Sequence, residues 1–217
     1  YHIEKVYSSI DWQGRYAYGR QWHAAQWNIA RLAETLLDQI ADNRQQAKAI
    51  ASELIERFAE RFQHYWLVGM RQKLGLGIEV DDDDELILDL LSAMQEIGLD
   101  YTLTFRSLAT FLETNSDWEC EKHNLINWKN RDDWLKRWNA RLELESKPFE
   151  KIAQEMNQVN PLFIPRNHRI EEIIQQAVEE GDYSSMHEFN RVLSDPYTYR
   201  QQDYPWAAPP ELDQRIF

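Results

Sequence analysis

A chain of 217 residues with 43% apolar side chains can bury a sizeable core and is therefore globular. Seven Gly and seven Pro, set among abundant Leu, Ile, Ala, Glu, Gln and Arg, favour helices over a turn-rich sheet, so the expected class is all-α. A formal net charge of −13 gives no broad attraction to phosphate backbones or anionic lipid, which excludes nucleic acid and membrane surfaces as default partners.

The chain opens at Tyr1 rather than at a methionine, which predicts a processed or excised piece whose parent keeps its chemistry upstream. No apolar run approaches the ~20 residues that span a bilayer, and no signal peptide is recognisable. From Gln21, the positions Trp22, Ala25, Ile29, Leu32, Leu36 and Ile40 recur at spacings of three and four, predicting one amphipathic helix with Arg31, Glu34 and Asp38 on its opposite face. A second pattern, Ala47, Ile50, Leu54, Phe58, Phe62 and Tyr65 or Trp66, predicts a longer helix that fades at Gly75 and Gly77. Together they read as an antiparallel hairpin.

Between Glu79 and Asp100 the acidic residues include Asp81, Asp82, Asp83, Asp84 and Glu85. A calcium loop starting at Asp81 would need glycine at its sixth position and glutamate at its twelfth, where Leu86 and Ser92 stand. These acids read instead as the cap and charged first turn of a helix that buries Leu86 or Ile87, Leu90, Leu91 and Met94. Tyr101 to Leu112 predicts a further short helix. Glu113 to Asp133, polar and rich in Asn and Asp, reads as a surface loop or short helix between subdomains, with a boundary near residues 115 and 116. Within it lies the single cysteine, Cys120, beside Asp117 and Glu121, an inert thiol that fits a reducing cytoplasm.

Trp134, Trp138 and Leu142 share one helical face and read as core. Helices around Phe149 to Met156 and Ile170 to Val178 follow, the latter ending at Gly181. Ser185 and Glu188 have the spacing of a capping box for a helix that Asp195-Pro196 stops. From Tyr197 the prolines predict a tail that is extended over the helices or partly disordered.

A search for chemistry returns little. The six histidines never stand four apart, one cysteine cannot build a thiolate metal site, and no glycine-rich phosphate loop or nucleophile turn is present. No catalytic, cofactor-binding or metal-binding residue is therefore assigned. Two segments look over-specified for a plain bundle. One is Asp11-Trp12-Gln13-Gly14-Arg15-Tyr16-Ala17-Tyr18-Gly19-Arg20-Gln21, with Asn28 in the helix behind it. The other runs from Asn160 through Arg166, Asn167 and His168 to Arg169. Asp11, Arg15, Gln21, Asn28, Arg166, Asn167 and His168 are the candidates, either as tethers that satisfy free backbone groups at helix ends or as contacts to a partner protein.

The same segments carry a family resemblance. "DWQGRYAYGRQ" with "QWNIARLAETLL", then "DYTLTFRSL", "WLKRWNARL", "VNPLFIPRNHRIEEIIQQAVEEGDY", "VLSDPY" and "APPELDQRI" resemble, in order, the selenoprotein O family after its kinase-like metal-binding motif. The resemblance implies a piece of the C-terminal helical lobe and C-terminal extension of a protein-kinase-like fold. It implies a parent that transfers AMP from ATP to protein hydroxyls with Mg or Mn, and the upstream kinase-like part and substrate proteins as partners. The family's phosphate-gripping and metal-holding residues precede the part that matches Tyr1, so the resemblance implies a fragment that is structural and holds no cofactor. Many relatives have a cysteine near the position of Tyr7 and another cysteine, or selenocysteine, close to the C-terminus, so the resemblance does not carry a redox latch over to this chain. The alternative is a free-standing helical module that grips a partner through Arg15 and the Arg166-Asn167-His168 segment.

Overall fold

A computed structural model describes residues 1–114 and 127–210. Cys120 and the tail from Glu211 lie outside the described residues, as does most of the polar stretch from Glu113. Among the described residues all regular structure is helical, and no helix is long and apolar enough to cross a membrane. The fold is all-α. The chain packs as two compact units, one from His2 to Met70 and one from Arg71 onward that includes Tyr1.

In the first unit, α1 (Gln21–Thr35) runs into the single turn α2 (Leu37–Ile40), and α3 (Arg44–Glu56) precedes α4 (Phe58–Lys73). The two predicted long helices are thus four. The first break has a local cause: the Thr35 hydroxyl donates to the Leu32 carbonyl at 2.7 Å, and the Leu36 N–H drops back to Ala33. That side-chain bond competes with the next helical one. Asn43 caps α3 by accepting from the N–H groups of Gln45 and Gln46 at 2.9 and 3.1 Å. The core of this unit is small, built on Leu37, Ala47 and Ala51 with Ala33, Ile40 and Ala41 against them. Of the predicted apolar stripe, Ile29, Leu32 and Leu36 are exposed, as are Ile50 and Leu54 of the second pattern. Alanines, not the large residues, make the close approach of α1 and α3.

The second unit holds the larger core. Its helices are α5 (Asp83–Glu96), α6 (Tyr101–Thr114), α7 (Arg131–Glu143), α8 (Phe149–Val159), α9 (Asn167–Glu179) and α10 (Ser184–Leu193). Helix α6 packs on α8, and α5 on α7. Leu86, Ile87, Leu90, Leu91 and Met94 are buried along α5, the face that the periodicity predicted. Trp134 and Trp138 stack at 5.5 Å and are buried, and their indole N–H groups donate to the carbonyls of Leu86 and Leu74. The core reading of this pair is correct.

The acids before α5 divide: Asp83, Asp84 and Glu85 charge its first turn as expected, whereas Asp82 stands at the N-cap without a side-chain cap bond, and Asp83 is buried. Two local expectations fail. No capping box forms at α10; Asp182 takes that role, accepting from the N–H and hydroxyl of Ser184 at 2.8 and 2.9 Å. The stretch after Tyr197 is not extended. It winds into a 3-10 helix, Gln201–Ala207, which packs Ala207 and Trp206 onto Leu103, Leu162, Phe163 and Val192.

Asp203 anchors that 3-10 helix. Its carboxylate is fully buried and accepts from both Arg191 and Arg200. The bonds from Arg191, then those from Arg200, outweigh the opposing effect of burial and hold the carboxyl at about 2, below the ordinary 3.8. A carboxyl depressed in the folded state adds stability above its unfolded pKa and loses it as pH falls toward the folded one. Denaturant midpoints of this unit should therefore decline as pH drops from about 4 to about 2. Asp203→Asn should flatten that decline; a slope that the substitution leaves unchanged would assign the acid sensitivity elsewhere.

Candidate functional site

The glycine-punctuated segment is a chain of tight turns. The Asp11 carboxylate accepts from the backbone N–H groups of Arg15 and Tyr16, both at 2.8 Å, as a short acceptor does when it organises a turn. Within that turn the Gly14 N–H donates to the Asp11 carbonyl, and the Gly14 φ of 65° lies where side chains are disfavoured. Gly19 is needed for a different reason: a Cβ there would sit 2.5 Å from Ile3 Cγ1 and 3.1 Å from the Ile3 carbonyl oxygen. The Gly19 N–H donates to that same carbonyl at 2.7 Å, which pins the start of the unit beside the entry to α1.

These constraints present Arg15 on the surface with its guanidinium carbon 4.5 Å from the centre of the Trp27 ring. An open pocket of about 470 Å³ is framed by Arg15, Arg20, His23, Ala24 and Trp27. Arg20 reaches the Gln13 carbonyl and the Glu4 carboxylate, each at 3.4 Å. Of the sequence candidates in this unit, Asp11 shapes the loop and Arg15 lines the pocket. Gln21 and Asn28 are exposed on α1 and line nothing there. Sequence reasoning passed over Arg20, His23 and Trp27. Their signal was present, because positions 20, 23, 24 and 27 follow the spacing of one helical face.

Arg166, Asn167 and His168 lie in the other unit, at the start of α9. Arg166 is buried and grips Asp100 with both terminal nitrogens, at 2.8 and 3.1 Å. Burial pushes the Asp100 carboxyl up, but the Arg166 bond and charge, with the Leu103 N–H, bring it below its ordinary value. His168 is buried, and among the described residues its Nε2 has no hydrogen-bond partner. Burial first, then the neighbouring Arg169 charge, lowers its pKa. Asn167 is exposed.

Asn160, at the head of the same segment, is the residue that bonds a helix end: its amide donates to the Lys73 carbonyl at 2.8 Å and accepts from Lys73 Nζ at 3.2 Å. Arg106 meanwhile donates to the carbonyls of Asn157, Asn160 and Tyr197. This arrangement carries the features of a brace: Arg106, Asn160 and Arg166 all bond within the protein, while among the described residues His168 Nε2, Arg166 Nε and Arg169 Nε are buried without a hydrogen-bond partner.

Comparison with known proteins bears on both units. A family model described as protein adenylyltransferase SelO matches residues 1–194. The chain is 43% identical, over 99% of its length, to a protein nucleotidyltransferase YdiU of Geobacillus kaustophilus. Identity is 44% over the whole chain to the protein of that name from Anoxybacillus flavithermus, and 42% over the whole chain to that from Agrobacterium fabrum. The chain spans only 43%, 43% and 44% of the length of these three relatives.

Proposed function

The chain belongs to the protein adenylyltransferase SelO family, and from that premise we propose that it is the C-terminal helical part of a longer enzyme that moves AMP from ATP to hydroxyl side chains of proteins. In this reading the groups that hold ATP and Mg or Mn sit in preceding polypeptide. The present residues form a cytoplasmic helical scaffold beside them, without a catalytic residue of their own. AMP transfer needs cations on the phosphates, a metal to neutralise developing charge and a base near the attacking hydroxyl. The candidate residues do not supply that set: Asp11 is spent on backbone N–H groups, and Arg166 and Asp100 are spent on each other.

One observation carries the proposal. Identity above 40% runs the full length of this chain yet covers less than half of each relative. The first unit adds support, since Trp12 is 82% exposed and Leu32 and Leu54 nearly 60%, apolar surface that a further part of the protein would cover.

The test is AMP transfer from labelled ATP to a protein acceptor, run with Mg and with Mn. One arm uses the longer protein and the other the 217-residue chain. Labelling by the longer protein alone is the expected result. Labelling by the short chain would overturn the division of labour, and none by the longer protein with either metal would overturn the activity.

A further inference from the structure

We propose that the pocket framed by Arg15, Arg20, His23, Ala24 and Trp27 is an oxyanion site whose ligand class is a small phosphomonoester. Its lining is one-sided in hydrogen-bonding character. Two guanidiniums have only donors, the imidazole has an N–H in either protonation state, and Ala24 and the indole ring contribute apolar wall. No carboxylate, amide or hydroxyl side chain lines it.

Arg15 sets the site apart within its surroundings. Acidic residues outnumber basic ones 37 to 24 in this chain, yet among the described residues no carboxylate pairs with the Arg15 guanidinium. Its guanidinium carbon lies 4.5 Å from the centre of the Trp27 ring, a contact that restrains the side chain without using its N–H donors on a carboxylate. Arg31, the other cation against Trp27, is already paired with Glu34 at 2.7 Å and is not free to serve. Arg20 is held only by contacts of 3.4 Å to an exposed Glu4 and to a carbonyl, which an incoming anion can replace.

The backbone adds to the same potential. A 3-10 turn, Tyr18–Arg20, runs straight into the 15-residue helix α1, so the helical run that carries Arg20, His23 and Ala24 starts at Tyr18, and neither first turn has an acidic residue. A helix start carries partial positive charge and commonly attracts a carboxylate. Here no acidic side chain stands in either first turn, and the nearby side-chain charge is that of two arginines.

The net charge of −13 selects among anions. An extended polyanion meets that charge over many ångströms, whereas a compact dianion feels mainly the groups within about one Debye length, ~8 Å at physiological salt. One guanidinium can satisfy a carboxylate through a single bidentate face, while the three terminal oxygens of a phosphomonoester can engage three donor groups at once. Ala24 and Trp27 beside the cations offer apolar contact to the organic part of a small phosphate ester.

The test is equilibrium dialysis of the chain against labelled inorganic phosphate and glycerol phosphate, with acetate as a competitor and circular dichroism to confirm that each variant keeps its helix content. Arg15→Gln should weaken binding roughly tenfold or more, the worth of a charge-assisted hydrogen bond. Glu4→Gln should tighten it by roughly twofold or more, because an exposed competitor for Arg20 is removed; a merely structural Arg20–Glu4 pair would not give that gain. Absence of phosphate binding, or binding that ignores both substitutions, overturns the site. Competition by acetate at equal concentration overturns the phosphate class.

Discussion

Asp83→Ala is expected to lower the stability of the second unit by about 3–5 kcal/mol, the usual cost of removing one partner from a buried ion network. Asp83 is 1% exposed, and both its oxygens are engaged. Arg71 Nε donates to Oδ2 at 2.9 Å, Arg141 Nε to Oδ1 at 2.6 Å, and the Val80 N–H to Oδ2 at 3.1 Å. Arg141 also donates to Glu145 at 2.9 Å and to the Ile78 carbonyl at 2.8 Å, while the Ile78 N–H donates back to Glu145. The network thus fastens the turn between α4 and α5 to α7. Gly77 is part of the fit, since a Cβ there would lie 2.9 Å from Glu145 Oε2.

Without Asp83, two largely buried guanidiniums lose their shared counter-charge. Asp83→Asn separates charge from shape, because it keeps the volume and an acceptor for Val80. If charge dominates, it should cost nearly as much as alanine. Urea unfolding followed by tryptophan fluorescence measures both through the shift in midpoint at constant slope. A loss below about 1 kcal/mol for alanine would mean that the network adds no more than an exposed ion pair does.

The periodic signals in the second unit were legible because its helices bury one face each. Leu86, Leu90, Leu91 and Met94 on α5, and Trp134, Trp138 and Leu142 on α7, repeat every three to four residues and are all buried. In the first unit the same kind of pattern misled. Ile29, Leu32, Leu36 and Leu54 have helical spacing but remain exposed, because periodicity reports which residues could be buried and not whether a surface is there to bury them. The break at Arg57 carries no proline or glycine to announce it. Its N–H bond to Glu53 is stretched to 3.3 Å and shared with Ile55, a detail of backbone geometry that sequence patterns do not encode.

Charge was harder to read than apolarity. Asp83 stands in a run of four aspartates that reads as one helix cap and charged first turn, and only the approach of Arg71 and Arg141 from other helices distinguishes it. Arg166 was singled out by its prolines and polar neighbours, but its partner Asp100 is 66 positions away and had been counted among the acids of a helical stretch. At the pocket, the segment that holds Arg15 was recognisable through Gly14 and Gly19. The helix face that completes it, Arg20, His23 and Trp27, lies beside the apolar stripe of the same helix, whose periodicity dominates the local pattern. Long-range pairing of ions depends on topology, which local spacing does not supply.

The second large effect is expected at Trp138, where alanine should cost about 3–5 kcal/mol. The side chain has no exposed surface, stacks on Trp134 at 5.5 Å and donates its indole N–H to the Leu74 carbonyl at 3.0 Å. That carbonyl lies just beyond α4, where Leu74 itself is fully buried and Gly75, at a φ of 76°, turns the chain. Truncation therefore combines a cavity with a buried acceptor left without its donor, two penalties of different origin. Trp138→Phe keeps most of the ring contact and removes the N–H, so it should retain more than half of the lost stability. If phenylalanine is as damaging as alanine, the hydrogen bond to Leu74 governs this junction. If alanine costs less than about 1.5 kcal/mol, the surrounding helices collapse into the space, and the contact of α7 with the end of α4 is not a rigid element of the fold.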